Sequence, residues 1–140
     1  MKAKSILYLA VSTLTFLNCN NDDDSASTPT VSELLIADTW FLESASSFIV
    51  DDCTKNSSFQ FFENGNVLSE SHGLNDEDEC LSLGVVPGTY ELLSDTQLAT
   101  TFNGETNSSL VIVQISESQL ILRDESGSES NTLVFDKNQG

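Results

Sequence analysis

From residue 40 onward, turn-forming residues divide the chain into short apolar stretches, and this spacing is what most restricts its fold. No stretch between these turns repeats apolar residues at helical spacing for long enough to form a crossover helix. Strands joined by such short connections are antiparallel neighbours. We predict eight strands, at Trp40–Val50, Ser57–Phe62, Val67–His72, Gly88–Leu93, Gln97–Phe102, Ser109–Ser116, Gln119–Asp124 and Asn131–Asp136.

Two Asn-Gly pairs, Asn64–Gly65 and Asn103–Gly104, mark hairpin turns between these strands. Such pairs are the strongest short hairpin signal because both residues tolerate a positive φ. Asn75–Glu79 is predicted to be a charged loop, and Leu81–Pro87 to continue it irregularly.

Alternation of side chains predicts a sheet that is buried on one face. Phe59 and Phe61 share a face, with Gln60 opposite. Eight antiparallel neighbours can close into a small up-and-down barrel and so remove their edges. An all-β barrel is therefore the predicted fold, and a two-sheet β-sandwich is the alternative.

A short helical turn is predicted at Val31–Ala37, with Ser32 as its N-cap. Leu110–Ile115 is apolar on both faces apart from Gln114, which predicts that this strand is covered outside as well as inside. The helical turn is the candidate cover.

The first residues resemble the signal of a bacterial lipoprotein. Lys2 and Lys4 precede an uncharged run that is shorter than the roughly 20 residues of a membrane helix. Phe16–Cys19 resembles a lipobox, which implies cleavage before Cys19 and acylation of its thiol. Ordinary secretion, with Cys19 as a free thiol or disulfide partner, is the alternative.

The acidic residues after Cys19 resemble the surface-export tag of Bacteroidota lipoproteins, which implies the outer face of the outer membrane; the periplasmic face is the alternative. We predict a signal peptide at residues 1–18, a flexible tether at 19–30 and one barrel domain at 31–140. Loss of Lys2 and Lys4 changes the formal charge from −17 to −19. Such a chain repels nucleic acid and anionic lipid headgroups.

Two cysteines, Cys53 and Cys80, remain once Cys19 is acylated. In an oxidising compartment they most simply pair, which would stabilise the fold by roughly 3–4 kcal/mol. A metal pair is less favoured because His72 is the only histidine.

Catalytic chemistry is not indicated, and no cofactor is expected. Alternation places Ser69 and Ser71 on the strand face opposite His72, so these residues do not predict a hydrolytic triad. Nucleophile-elbow and dinucleotide-binding glycine motifs are absent from the sequence. We therefore predict a protein that is not an enzyme.

The densest acidic segment, Asp76–Glu79, is a weak candidate for calcium. Its ligands would be Asp76, Asp78 and Glu79, with Asp51 and Asp52 brought near by a Cys53–Cys80 bridge. The segment lacks the ligand spacing of an EF-hand, so a solvated loop is the favoured interpretation.

A helical turn, a lone Trp40 at the start of the first strand and an eight-strand meander together resemble the lipocalin-like domains of exported bacterial lipoproteins. Trp40 matches the tryptophan of the lipocalin Gly-x-Trp signature, with Asp38 in place of the glycine. Gly88–Tyr90 and Gln119–Leu122 are similar to later strands of that group. The resemblance implies that Trp40 closes one end of the barrel.

Five aromatic residues are the predicted lining of an apolar pocket for a small hydrophobic ligand: Trp40, Phe59, Phe61, Tyr90 and Phe102. Such residues also fill the cores of small barrels. The alternative is therefore a surface interaction or structural protein with a filled barrel as its scaffold.

Overall fold

The computed structural model describes residues 27–140, so the predicted leader, Cys19 and the tether up to residue 26 lie outside the described residues. The helical elements are α1 (Val31–Ile36) and a 3-10 turn at Thr54–Asn56. The strands are β1 (Thr39–Ala45), β2 (Ser58–Phe61), β3 (Asn66–Leu74), β4 (Cys80–Ser94), β5 (Gln97–Phe102), β6 (Glu105–Ile115), β7 (Gln119–Asp124) and β8 (Asn131–Asp136).

The eight strands form a closed antiparallel barrel in the order of the chain. Each strand pairs with the next, and β8 closes the barrel against β1 through Leu42 and Phe135. The up-and-down barrel is confirmed, and the sandwich alternative is excluded because a sandwich leaves its two sheets open.

Both Asn-Gly turns connect neighbouring strands as predicted. Asn103 and Gly104 have φ values of 52° and 84°, the pair of positive values that suits a tight hairpin. At the other turn only Gly65 is left-handed, with φ 81°, and the Phe62 N–H donates to the Asn66 carbonyl at 2.9 Å.

The prediction that Leu81–Pro87 is irregular is wrong. This segment belongs to β4, which is continuous over 15 residues and pairs with β3 as far as Leu74. Proline has no N–H for a ladder hydrogen bond, but it is tolerated at the edge of a sheet. Pairing of β4 with β5 begins only at Gly88. At Pro87, β3 is therefore the only strand that β4 pairs with, and the other side of β4 is a sheet edge.

Two other strands differ from the prediction by more than two residues at one end. β1 stops at Ala45 instead of continuing to Val50. The chain bends at Ser46, whose N–H still donates to the Thr132 carbonyl at 2.9 Å, while the Thr132 N–H donates to Ser46 Oγ at 2.8 Å instead of to a backbone carbonyl. β6 begins earlier than predicted, at Glu105, directly after the Asn-Gly turn.

Helix α1 is capped by Thr30, so the predicted N-cap Ser32 is wrong. The Glu33 N–H donates to Thr30 Oγ1 at 3.2 Å, and the Thr30 N–H donates to Glu33 Oε2 at 2.7 Å. These reciprocal bonds satisfy two helix-end donors. The hydrogen bonds from Thr30, backbone first, lower the pKa of Glu33.

Helix α1 covers the end of the barrel at which β1 begins, and its Leu35 side chain is fully buried in the core. The expectation that it covers the outer face of β6 is wrong, since Val113 on that strand is 49% exposed. Within residues 27–140, no helix has the length and apolar character needed to span a membrane.

Candidate functional site

The two ends of the barrel differ in how they are closed. At the closed end, where β1 begins, Trp40 is fully buried and its Nε1 donates to the Leu35 carbonyl of α1 at 2.9 Å. Lys137 Nζ lies 5.3 Å from the centroid of the Trp40 ring. The indole and the helix therefore seal this end, leaving the other end for access.

The closed half of the interior is filled with side chains. The residues that are less than 2% exposed are Trp40, Leu35, Leu98, Leu120, Leu122 and Val67. Phe61 is also buried, and Tyr90 meets it edge-on with ring centroids 5.0 Å apart.

The Tyr90 hydroxyl donates to the Phe62 carbonyl at 3.0 Å, which satisfies its polar end. Burial, and then the charge of Glu63, raises the pKa of this phenol. Tyr90 is thereby held neutral in the wall and does not point a free hydroxyl at a ligand.

The open end holds an apolar cavity of about 200 Å³, which we call the mouth cavity. It lies at the end of the barrel where β1 ends and β2 and β8 begin, and β3, the next strand beside β2, completes its wall. The lining residues are Leu42, Phe48, Ser57, Ser58, Phe59, Ser69, Glu70, Ser71, Asn131, Leu133 and Phe135.

Phe59 forms the floor of the mouth cavity. Its ring centroid lies 5.5 Å from that of Phe135 and 6.0 Å from that of Phe61. It therefore links the cavity to the filled half below it. Phe102 stacks on the same ring at 6.2 Å, with an interplanar angle of 25°.

Gly88 makes room for Phe102. A Cβ at this position would lie 2.5 Å from the Thr101 carbonyl oxygen and 2.6 Å from Phe102 Cδ1. The absence of a side chain lets the Phe102 ring lie against β4 and reach Phe59.

Polar groups surround the opening. Asn131 lines the cavity and is directly opposite Asp124 on the neighbouring strand, so the two share a face. Asn107 Nδ2 donates to Asp124 Oδ2 at 3.1 Å. The opening therefore carries a carboxylate that is already fixed by neighbours.

Asp124 is anionic at neutral pH. Burial is the largest single influence on its pKa and raises it. The hydrogen bonds from Ser126 and Asn107 together outweigh burial and lower the pKa below its usual value. An anionic ligand head at this opening would meet like charge.

The structure separates the five aromatic residues predicted to line a pocket. Phe59 lines the mouth cavity, and Phe102 contacts Phe59 from the neighbouring wall. Trp40, Phe61 and Tyr90 lie in the filled half, outside the cavity lining.

The sequence did not predict that several other residues would line the cavity. Leu133 and Phe135 alternate in β8 and so share one face, but only closure of β8 on β1 brings them to Phe59. The sequence predicts Phe48 within the first strand, whereas it lies in the connection between β1 and β2 and lines the mouth cavity.

The predicted disulfide is present. Cys53 and Cys80 are bonded, with Cα atoms 5.3 Å apart. The bond joins the β1–β2 connection, which contributes Phe48, to the first residue of β4. It thereby ties two segments at the open end.

His72 lies on the outside of the barrel, in a groove of about 340 Å³ with Gln60, Leu68 and Glu70. Its Nε2 is 3.7 Å from Glu70 Oε1, and its Nδ1 has no hydrogen-bond partner among the described residues. Ser69 and Ser71 line the mouth cavity on the other face. The structure thus keeps the two serines apart from the imidazole, as the alternation indicated.

The acidic loop is organised around Asn75. Its Oδ1 accepts hydrogen bonds from the N–H groups of Glu77 and Glu79, at 2.9 and 2.8 Å. Across residues 27–140 no three His, Cys, Asp or Glu side chains are grouped so that they could hold a metal ion. A calcium site at Asp76, Asp78 and Glu79 stays a prediction, and the positions of these side chains do not support it.

A family model for lipocalin-like domains matches residues 36–122, from the end of α1 into β7. This match covers more than half of the chain. The chain belongs to the lipocalin-like domain family. No curated protein and no solved structure matches it. Lipocalin-like barrels commonly bind small hydrophobic ligands, and the mouth cavity of this lipocalin-like domain is the place where its interior is open.

Proposed function

We propose that this protein is an exported, lipid-anchored lipocalin-like protein that holds a small apolar ligand in the mouth cavity. The observation that supports binding is an apolar cavity at the unsealed end of a barrel whose other half is filled with side chains. The sequence of the first two dozen residues supports export and acylation at Cys19.

The size of the cavity restricts the ligand. Drug-sized ligands occupy about 300–1,000 Å³, whereas a dry cavity of about 150 Å³ holds a single benzene ring. At about 200 Å³, the mouth cavity suits one aromatic ring or a short aliphatic chain.

The polar opening restricts the ligand further. Ser69, Ser71 and Asn131 offer hydrogen bonds to a neutral head group. Asp124, beside Asn131, disfavours an anionic head. A short alcohol or a ring with a hydroxyl or N–H group fits both conditions better than a carboxylate does.

The test of binding uses three probes: 1-hexanol, indole and hexanoate. We expect 1-hexanol and indole to shift the methyl NMR resonances of Leu42 and Leu133, and hexanoate to shift them less at neutral pH. Leu133→Trp should abolish these shifts by filling the cavity. Val113→Trp, on the exposed outer face of β6, is the matched control and should leave binding unchanged.

The three probes are added at about 1 mM, a concentration at which even a very weak ligand would bind. If none of them shifts the resonances, the second candidate function is favoured. In that function the barrel is a filled scaffold for surface interactions. The filled half around Trp40, Leu98 and Leu120 is the observation that favours it.

The lipid anchor is tested separately by metabolic labelling with a radioactive fatty acid. The wild-type chain should be labelled and should fractionate with outer membrane, and Cys19→Ala should lose both properties. A Cys19→Ala chain that is still labelled would contradict acylation at this residue. Protease treatment of intact cells then distinguishes the outer face from the periplasmic face.

A further inference from the structure

The β3–β4 hairpin extends beyond the wall of the barrel. Residues Cys80–Pro87 of β4 pair with β3 on one side, but pairing with β5 begins only at Gly88, opposite Phe102. Within residues 27–140, no strand lies along the other side of Cys80–Pro87. We call this segment the open edge.

A strand with a single neighbour directs about half of its backbone N–H and C=O groups away from that neighbour. The Gly84 N–H has a partner in Ser82 Oγ at 3.3 Å. Every residue of the open edge is exposed. A second extended chain would therefore find backbone groups to pair with here.

The open edge lacks the charged residues that usually protect such strands. No residue from Cys80 to Pro87 is charged, and four are leucine or valine. Leu83 is 69% exposed and Val85 is 51% exposed. Soluble proteins commonly place lysine or another charge on a strand edge to prevent pairing. Two features hinder pairing along this edge: Pro87, which has no N–H to donate, and a bulge that leaves Leu83 without a partner on β3, next to Gly84 with its φ of 119°.

The charges around the open edge select the occupant. The loop Asp76–Glu79 adjoins its first residue, and Glu70 is directly opposite Val85 on β3. The formal charge of the whole chain is −17. A second copy would therefore be repelled, whereas a segment with lysine or arginine at its ends would be attracted.

We propose that the open edge binds an extended segment of a basic protein partner, which adds as a strand beside β4. Main-chain hydrogen bonds to Cys80–Pro87 supply the affinity, and apolar side chains of the partner cover Leu83 and Val85. Basic residues flanking that segment pair with the acidic loop. This site is separate from the mouth cavity and does not depend on ligand binding there.

The test uses the peptide KKVTVTVKK and the isotope-labelled, disulfide-bonded protein. We expect amide hydrogen exchange to slow about tenfold or more at open-edge residues, and the affinity to fall as salt is raised. Two further peptides carry N-methyl groups, one on the valines and the other on the threonines. Because alternate amides of a strand point to opposite sides, one of these peptides should lose binding and the other should keep it.

Leu83→Lys places a charge on the open edge and should weaken the peptide about tenfold, a difference of about 1.4 kcal/mol. Leu93→Lys is the matched control, because Leu93 is exposed on β4 beyond the open edge, and it should change the affinity less than about twofold. Three results would overturn the proposal: no binding of KKVTVTVKK at about 1 mM, equal binding of both methylated peptides, or self-association of the protein that protects the same amides.

Discussion

Gly88 lies beneath the ring of Phe102, at the point where β4 passes from the extended hairpin into the barrel wall. Phe102 in turn stacks on Phe59, the floor of the mouth cavity. A single missing side chain thus determines whether the aromatic cluster can assemble.

We expect Gly88→Ala to lower the free energy of unfolding by about 1–3 kcal/mol, because the added methyl overlaps the Thr101 carbonyl and the Phe102 ring. Urea denaturation followed by circular dichroism measures this. Gly127→Ala is the control, since its new Cβ would approach the Glu129 carbonyl only to 3.3 Å. An equal cost for both variants would mean that the Phe102 contact is unimportant.

The carboxylate of Asp124 makes the stability depend on pH. Its pKa is lower in the folded protein than in the unfolded chain, so its contribution is fully present above the unfolded pKa of about 3.9. That contribution is lost as the pH falls through the folded pKa, where the carboxylate becomes protonated in both states.

Asp124→Asn should therefore lower the free energy of unfolding at pH ~7, and the difference from wild type should shrink below pH ~4. Parallel urea titrations at the two pH values measure it. Asp95→Asn, in the exposed β4–β5 turn, controls for the change in total charge. A difference that stays constant with pH would show that Asp124 acts through packing alone.

Among the elements, the connection between β1 and β2 is held in place by the Cys53–Cys80 disulfide. Cys53 is buried and bonded to Cys80, 27 positions later in the chain. Asp51 accepts hydrogen bonds from both the N–H and the hydroxyl of Thr54, at 2.7 Å each, which starts the 3-10 turn. These bonds, backbone first, lower the pKa of Asp51.

We expect the double variant Cys53→Ala, Cys80→Ala to unfold with a free energy lower by roughly 3–4 kcal/mol, because the unfolded chain gains the entropy of an open loop. Thermal unfolding with and without reductant measures this, and reductant should change only the wild type. Phe48 should also leave the mouth cavity, which would weaken ligand binding. Unchanged stability in the double variant would rule out the loop-closure contribution.

The elements also show where local patterns fail. β5, β7 and β8 have the bounds that alternation and turn residues predicted. β4 does not, because Gly84 and Pro87 are turn signals when taken alone, and pairing with β3 overrides them. Conversely, Val50 favours a strand, yet β1 ends at Ala45 where Ser46 bonds to β8.

For the whole molecule, closure of the barrel decides the candidate site. Leu42 on β1, Phe59 on β2 and Phe135 on β8 lie far apart in the chain and meet only when β8 pairs with β1. The sequence predicted aromatic side chains inside the barrel. The family resemblance implied that Trp40 closes one end, but nothing in the sequence predicted that Phe61 and Tyr90 would fill the same half while Phe59 faces a cavity in the other.

The sequence by itself determined the fold class, most turns and the cysteine pair. These depend on local alternation, on residues that tolerate positive φ and on the small number of thiols. Only the tertiary structure decided which end is sealed, how large the mouth cavity is and where β4 lacks a second neighbour. Those features depend on strand length and register. Strand length and register are determined jointly by residues that are distant in the chain, so no single segment encodes them.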